Sequence, residues 1–328
     1  MSIPAVIGGR APLRERVLRW TVSPAALRRL ALASIVVNVL IVVSGGAVRL
    51  SNSGLGCPTW PTCSGSSLVV TGKLGVHGAI EFSNRMLTYV VGVVLLATLI
   101  SAWRQRREVR LALLLLAGIP AQAVLGGIVV LTNLNPWLVA LHFLLSSAII
   151  AVAYLLWSRL GCAAPAGTPR AGRLLAAVLV AMTSAVLAIG TVVTGSGPHA
   201  GDVSKDGSLH RIAIKSSSIS QLHADSVMLL IGATVGFVLL AFALSLPRPV
   251  QVATLVLLGV ELGQGIIGYT QYFLHVPPLL VGLHMLGACL VWIAALRVLT
   301  LVEPGLYGRA GASGEPRHDN NRLRPKWP

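Results

Sequence analysis

The chain has 328 residues, of which 55% are hydrophobic and 11% are charged, and its mean hydropathy is +0.79. A soluble domain normally carries about 25% charged residues. The composition therefore excludes an ordinary soluble protein and indicates an integral membrane protein. The net charge of +16 does not indicate nucleic-acid binding, because no basic soluble module accompanies the apolar segments.

Eight apolar runs are long enough to cross roughly 30 Å of hydrocarbon as helices. They occupy residues 28–49, 79–102, 110–132, 137–158, 173–195, 219–246, 250–272 and 279–301. Strand-like alternation is absent, and the runs are too long and too many for the core of a soluble protein. We therefore predict an all-α integral membrane protein with eight transmembrane helices.

The basic residues orient these helices in the membrane. If both termini are cytoplasmic, only six of the 26 Lys and Arg residues lie on the outer side, namely Arg49, Lys73, Arg85, Lys205, Arg211 and Lys215. Cytoplasmic loops carry an excess of Lys and Arg, so we predict cytoplasmic N- and C-termini. We expect no cleaved signal peptide, because the first run is too long for one, and we expect a multi-pass protein of a bacterial-type plasma membrane.

The two halves of the chain repeat one another at a shift of 142 residues. "QAVLGGIVVLTNLNPWLVALHFLL" then lies on "QGIIGYTQYFLHVPPLLVGLHMLG", and the identities include Gln122 with Gln264, Gly126 with Gly268, Pro136 with Pro278, and His142 with His284. Upstream the likeness is weaker, between "RLSNSGLG" and "VVTGSGPH". Gln, Pro and His are uncommon in apolar runs, so we interpret the chain as a duplicated four-helix unit with two pseudo-symmetric bundles.

This repeat divides the chain into five parts. They are an N-terminal cytoplasmic segment (1–27), an N-terminal half (28–160), a cytoplasmic linker (161–172), a C-terminal half (173–302) and a cytoplasmic tail (303–328) whose polar composition predicts disorder. Bundles of this kind hold cofactors between facing helices. We therefore expect one such site in each half.

Three histidines lie at one depth inside the even-numbered spans. His142, His223 and His284 are each about five residues from the outer end of a span, or roughly 8 Å along a helix, and Asn84 takes the corresponding place on span two. Ionisable residues in spans are costly and mark functional sites, and neutral imidazole is the common ligand of haem iron. We predict that His223 and His284 ligate one iron from both sides. His142 would then face Asn84 at an incompletely ligated site.

The segment "AIEFSNRML" places an acid and a base within span two. Glu81 and Arg85 are four residues apart and so share one helical face, where they can pair. Pairing alone would reduce the cost of their burial. A functional alternative is that Glu81 moves protons while Arg85 holds a haem propionate or Glu81 itself. Two further acids lie within spans. Asp225, two residues after His223, is either near a haem site or simply hydrated, and Glu261 carries no clear motif.

Cysteines fall into two groups. Cys57 and Cys63 lie in the first outer loop, "SNSGLGCPTWPTCSG", where an oxidising compartment and turn residues favour a disulfide. A metal site with further ligands or a redox-active dithiol stays open. Cys162 and Cys289 suit small buried hydrophobic positions.

Taken together, these motifs resemble those of the haem A synthases. The resemblance is carried by "GGAVRLSNSGLGCPTWPTC", "IEFSNR", "ALHF", "QLHAD" and "GLHM". It implies an eight-helix oxidoreductase that converts a methyl group of haem O to the formyl group of haem A for terminal oxidases. It also implies haem b on His223 and His284, substrate haem on His142, and an acidic residue beside the substrate at Glu81.

One position departs from that family's pattern. The acid is usually followed three residues later by His, whereas here the residue is Asn84, so we expect His142 alone to hold the substrate iron; His77 is the alternative. The resemblance also makes contact with the farnesyltransferase that produces haem O plausible. The oligomeric state, including a homo-oligomer, stays open, as do the electron acceptor and the oxygen source.

Two other classes of protein are compatible with parts of this pattern. A transmembrane b-type cytochrome would also use histidines in four-helix units, but it would normally have complete ligand pairs in both halves. A secondary transporter can arise from a parallel repeat. It would place its polar residues near the midplane, whereas those of this chain cluster towards the outer side.

Overall fold

The computed structural model describes residues 23–64, 75–161, 168–199, 201 and 211–306. Within them lie eight long helices: α1 (Pro24–Leu50), α2 (Gly75–Gln105), α3 (Val109–Leu131), α4 (Pro136–Arg159), α5 (Arg170–Ser196), α6 (Ser216–Ala243), α7 (Arg248–Phe273) and α8 (Pro278–Val302). Each is long and apolar enough to cross a membrane, so the predicted all-α fold with eight spans is confirmed. The expectations for Cys162 and for the tail beyond Leu306 lie outside the described residues.

Helix ends follow local capping chemistry. The hydroxyl of Ser23 accepts a hydrogen bond from the backbone of α1, and the side chain of Asn135 does the same for α4, as N-cap residues do. The observed ends lie within four residues of the predicted ones. The prediction that the sixth span runs to residue 246 was wrong, because α6 ends at Ala243 and Ser245 has a φ of 47°. Pro247 follows two residues after Ser245, and a proline disfavours helical geometry at the residue that precedes it.

Each half forms a closed ring of four helices. In the N-terminal half, α1 contacts α2, α2 contacts α3, α3 contacts α4, and α4 returns to α1; α5 to α8 repeat this order. Between the halves, α4 contacts α8, α1 contacts α8, and α4 contacts α5. Exchanging the two halves leaves this set of contacts unchanged. The contacts therefore have the pseudo-two-fold arrangement that the internal repeat predicts.

Hydrogen bonds join the halves at two levels. Near the middle of the bundle, the indole of Trp292 on α8 donates to the carbonyl of Ser147 on α4 at 2.8 Å. At the end where α1 terminates, the guanidinium of Arg49 donates to the carbonyls of His199 and Thr194 at 2.6 and 2.9 Å. The last carbonyls of a helix have no donor within that helix. Arg49 donates to Thr194 at the end of α5 and to His199 in the loop that follows, and so joins α1 to this segment.

The outer surface of the two rings is apolar. The most exposed large side chains on the helices include Val93, Leu229, Leu239, Ile266 and Leu279. A soluble protein rarely exposes contiguous apolar surface of this kind. A surrounding lipid bilayer accounts for it, and the polar side chains discussed below lie inside the rings or at their ends.

Candidate functional site

Two histidines meet inside the C-terminal ring. His223 is the eighth residue of α6 and His284 is the seventh residue of α8, on helices that lie diagonally across the ring. Their ring centres are 6.5 Å apart, and the ring planes make an angle of 74°. The structure thus brings together the two residues that the sequence predicts as an axial pair.

A glycine on the preceding helix leaves room for each of these imidazoles. A β-carbon built on Gly190 of α5 would lie 3.2 Å from Cε1 of His223, and one on Gly268 of α7 would lie 3.5 Å from Cε1 of His284. Nδ1 of His223 has no hydrogen-bond partner among the described residues.

The N-terminal ring repeats this arrangement at one of its two positions. His142 is the seventh residue of α4, as His284 is of α8. A β-carbon on Gly126 of α3 would lie 3.2 Å from Cε1 of His142. The internal repeat aligns Gly126 with Gly268, and both glycines make the same approach to a histidine. Two further polar contacts steady α4 here, because the amide of Gln122 donates to the carbonyl of His142 and to the Ser146 hydroxyl.

The other position of the N-terminal ring holds an amide. Asn84 lies on α2, diagonally from α4, and its Oδ1 accepts a hydrogen bond from the hydroxyl of Ser44 on α1 at 2.6 Å. Three of the four positions therefore pair a histidine with a glycine of the preceding helix, and the fourth pairs Asn84 with Ser44. The ring position that has Asn84 instead of a histidine thus also has Ser44, instead of a glycine, as its contact on the preceding helix.

His77 does not reach the level of Asn84. It lies in the first turn of α2, seven residues before Asn84, which corresponds to about 10 Å along the axis. Its Nδ1 is hydrogen-bonded to the hydroxyl of Ser53 at 2.9 Å. Because His77 is part of the helix, the inward folding of a loop that would bring it to the substrate is absent in this structure.

Glu81 and Arg85 pair with each other and with the loop between α1 and α2. Arg85 Nη2 is 2.6 Å from the Glu81 carboxylate and 2.9 Å from the carbonyl of Cys57, while its Nη1 donates to the carbonyls of Thr59 and Thr62. The other carboxylate oxygen of Glu81 accepts from the backbone N–H of Cys57 at 2.6 Å. The pair anchors the loop to α2, which is more than the simple pairing that the sequence predicts.

The loop itself is closed by the predicted disulfide. Cys57 and Cys63 are bonded, with an S–S distance of 1.94 Å. Between them, Trp60 packs over α3, where a β-carbon on Gly127 would lie 2.6 Å from the indole ring. The loop is therefore held by α2 through polar groups and by α3 through an aromatic contact. It forms a cover on the histidine end of the N-terminal ring.

The two remaining acids in the C-terminal ring have different environments. Asp225 is exposed and accepts a hydrogen bond from Gln221, so its side chain is not enclosed with the histidine pair. Glu261 is 2% exposed, and one of its oxygens accepts from Thr234 on α6 at 3.0 Å. Glu261 lies two turns before Gly268 on α7, deeper in the bundle than the histidine pair.

Sequence reasoning missed Ser44 and Gly190. The repeat is weak in the first helix of each half, so no register was available that would align these two residues. The signal that finds them is geometric, since each lies on the helix preceding a ligand position.

Gly190→Leu is expected to displace His223. If His223 ligates a haem, as the sequence predicts, haem affinity is expected to fall about 10- to 100-fold, the usual range when the orientation of a metal ligand is disturbed. The measurement is the haem content of the purified protein after dilution. Gly232→Leu on α6 is the control, because a β-carbon there meets nothing within 4 Å. Equal haem content in both variants would contradict the role given to Gly190.

Comparison with known proteins places this arrangement in a family. The sequence profile of the cytochrome oxidase assembly proteins, COX15-CtaA, matches residues 28–296, which include both rings almost completely. The chain belongs to this family. The matched range contains His142, His223 and His284 as well as Asn84.

Curated relatives of this family member are more narrowly named. It is 34% identical over 147 residues to a haem A synthase of Lysinibacillus sphaericus, covering 43% of this chain and 44% of the relative. It is 30% identical over 136 residues to a haem A synthase of Bacillus licheniformis, covering 40% and 44%. The similarity thus spans less than half of the length of these relatives.

The histidine pair of this cytochrome oxidase assembly protein fits an iron carried by a macrocycle. When two imidazoles bind one metal ion, each metal–nitrogen bond is about 2.0 Å long, and each nitrogen lies about 1.1 Å from its ring centre. The two ring centres are then about 6.2 Å apart, and the observed separation is 6.5 Å. Among the described residues, no three His, Cys, Asp or Glu side chains gather to hold a bare ion. The buried Nδ1 atoms of His142, His223 and His284 also have no hydrogen-bond partner there.

Proposed function

We propose that the chain is a haem A synthase, which oxidises the C8 methyl group of haem O to a formyl group by successive hydroxylations and so supplies haem A to a terminal cytochrome oxidase. Membership of the cytochrome oxidase assembly family and the names of the relatives support this proposal. The eight apolar helices support a multi-pass protein, for which we propose the plasma membrane.

The observation that carries the proposal is the difference between the two rings. The C-terminal ring has two histidines 6.5 Å apart, whereas the N-terminal ring has His142 opposite the Asn84 and Ser44 pair. A purely electron-carrying protein needs no such difference. An enzyme needs one site that keeps its haem and one that accepts and releases a haem, and a single protein ligand suits the second.

In the C-terminal ring, His223 and His284 would hold haem b. When bound, this haem supplies one-electron transfer, and the protein sets its position and surroundings. Gly190 and Gly268 leave the space in which both imidazoles stand. The apolar walls of the ring exclude water from the pair.

In the N-terminal ring, His142 would position haem O by its iron, with Asn84 on the far side. Glu81 lies three residues before Asn84 and so nearly on the same face of α2. We assign to Glu81 the handling of protons during oxidation of the methyl group. The guanidinium of Arg85 is engaged with Glu81 and three loop carbonyls, so its contribution is to fix the Glu81 carboxylate and the loop, which leaves a propionate contact as the weaker assignment.

Haem O is apolar and scarcely soluble, so it is expected to reach His142 from the bilayer or directly from the farnesyltransferase that makes it. We propose that enzyme as a partner on this chemical ground. The lipid bilayer is the other obligatory environment. No nucleic acid is proposed as a partner, because the described basic residues lie at helix ends and in loops of a membrane protein.

The test is incubation of the purified protein with haem O, followed by extraction and chromatography of the pigments. Wild type is expected to form the alcohol and aldehyde products. His142→Ala is expected to form at least about tenfold less, since a lost ligand costs no less than a disturbed one. Cys289→Ser, a change in the α8 core away from both ligand sets, is the control for handling losses.

The same experiment separates this function from that of a b-type cytochrome. Spectra of two bis-histidine haems, without any oxidised product from haem O, would contradict the enzyme. Full activity of His142→Ala would contradict the assignment of the substrate site but not the proposed enzymatic activity.

A further inference from the structure

A cavity lined by two arginines lies at the opposite end of the bundle from the histidines. It has a volume of about 140 Å³ and lies between the start of α1 and the ends of α4 and α8. Its lining includes Arg28, Tyr154, Trp157, Ser158, Arg297 and Thr300. We call this cavity the arginine pocket. Because α1 and α4 belong to one half and α8 to the other, the pocket lies on the boundary between the two rings.

The two arginines have no acidic partner within the described residues. No Asp or Glu lines the arginine pocket. The two described acids at this end of the bundle are engaged elsewhere, since Glu108 pairs with Arg159 at 3.4 Å and Glu303 lies 3.8 Å from Arg173. Within the described residues, two positive charges therefore face one cavity with no acid in its lining, whereas Arg173, on α5, lies 3.8 Å from Glu303.

Aromatic packing fixes the direction of Arg28. Its guanidinium carbon lies 5.3 Å from the centre of the Trp157 ring, within the range of a cation–π contact. Trp157 in turn packs against Tyr154, with ring centres 5.8 Å apart. A guanidinium stacked in this way keeps its N–H groups free at the edge, where they can donate to an anion.

We propose that the arginine pocket binds the phosphate group of an anionic membrane phospholipid. Guanidinium groups recognise phosphate through paired hydrogen bonds, and the hydroxyl of Ser158 in the lining adds a further donor. Basic pockets between transmembrane helices commonly take lipid headgroups. The size is adequate, because a cavity of about 150 Å³ accommodates benzene.

A lipid is the occupant that the location favours. Arg28 is only five residues into α1, which places the pocket near the hydrocarbon boundary, where phospholipid phosphates are concentrated. A headgroup held there would touch α1 and α4 of one half and α8 of the other. The bound lipid would thus link the two rings at the end remote from the haem sites.

The experiment compares delipidated wild type, Arg28→Gln, Arg297→Gln and Arg29→Gln by native mass spectrometry with added phosphatidylglycerol, phosphatidylcholine or inorganic phosphate. Arg29 is the matched control, since it neighbours Arg28 on α1 and does not line the pocket. Wild type and Arg29→Gln are expected to retain phosphatidylglycerol in preference to phosphatidylcholine. Each pocket variant is expected to bind phosphatidylglycerol about fivefold more weakly, as expected for one basic residue at a membrane surface.

Three outcomes would overturn the proposal. The first is equal retention of phosphatidylglycerol by all four proteins. The second is binding of inorganic phosphate with the same dependence on Arg28 and Arg297 and no preference for the lipid. The third is a lower melting temperature of the pocket variants with unchanged lipid retention, which would assign the arginines to the helix ends.

Discussion

Asn84→His combined with Ser44→Gly is expected to give the N-terminal ring a second bis-histidine haem. The double change recreates the histidine and glycine pairing of the other three positions, where the β-carbon of any larger residue would lie 3.2–3.5 Å from an imidazole carbon. The single change Asn84→His is expected to be less effective, because the side chain of Ser44, which contacts Asn84 at 2.6 Å, would face the larger imidazole. Low-spin haem per protein is expected to rise from one to about two.

The same double variant is expected to lose conversion of haem O by at least about tenfold. An iron with both axial positions filled by histidine has no open position and is released slowly. Optical and magnetic spectra of the variant loaded with haem O provide the ligand count, and pigment analysis provides the turnover. Ser44→Gly alone is the control, since it removes the bond to Asn84 without adding a ligand. One low-spin haem in the double variant would show that Asn84 does not occupy a ligand position.

Arg85→Gln is expected to destabilise the N-terminal ring by about 2–3 kcal/mol. The guanidinium donates to three loop carbonyls and pairs with Glu81, which is 5% exposed. Removing one partner of a buried ion pair costs about 3–5 kcal/mol, and the partial exposure of Arg85 reduces that figure. Thermal unfolding is the measurement. The haem b signal from His223 and His284 is expected to persist, because these residues lie in the other ring.

Arg211→Gln is the matched control for this change. Arg211 is an exposed residue of an outer segment, and its one described hydrogen bond is 3.4 Å long. It is expected to alter stability by less than about 0.5 kcal/mol, as surface substitutions do. Equal destabilisation by the two variants would mean that Arg85 does not anchor the loop.

Glu81→Gln separates the two roles of the carboxylate. The amide oxygen can still accept from the N–H of Cys57, but the amide NH2 group cannot pair with Arg85. Thermal stability is therefore measured beside turnover and compared with that of Arg85→Gln. If Glu81 handles protons, kcat is expected to fall about 10²- to 10⁴-fold, the usual range for a lost general acid or base. A variant with normal turnover would leave Glu81 with an anchoring role alone.

The fold could be predicted because bilayer thickness fixes helix length. Apolar runs alone located all eight helices to within a few residues, and the error at the end of α6 arose where Leu244 and Leu246 continue the apolar run past the helix. Hydropathy does not register the positive φ at Ser245 or the constraint from Pro247. The ring order and the symmetric boundary followed from the repeat between Gln122–Leu145 and Gln264–Gly287.

The candidate site could be predicted only where the repeat is strong. His142 and His284 share flanking sequence, so their common depth and their glycine neighbours follow from alignment. Contacts between segments that differ in the two halves do not follow. The sequence pattern predicts neither the hydrogen bond between Ser44 and Asn84 nor the hydrogen bonds from Arg85 to the loop carbonyls. These contacts depend on how closely two helices, or a helix and a loop, approach each other in three dimensions.

The division of tasks between the two rings is tested most directly by extracting and identifying the haems that remain bound to His142→Ala and to His284→Ala after exposure to haem O. His142→Ala is expected to keep haem b and to lose haem O and its oxidised products. His284→Ala is expected to lose haem b while still retaining haem O. Loss of the same pigment from both variants would contradict two separate sites.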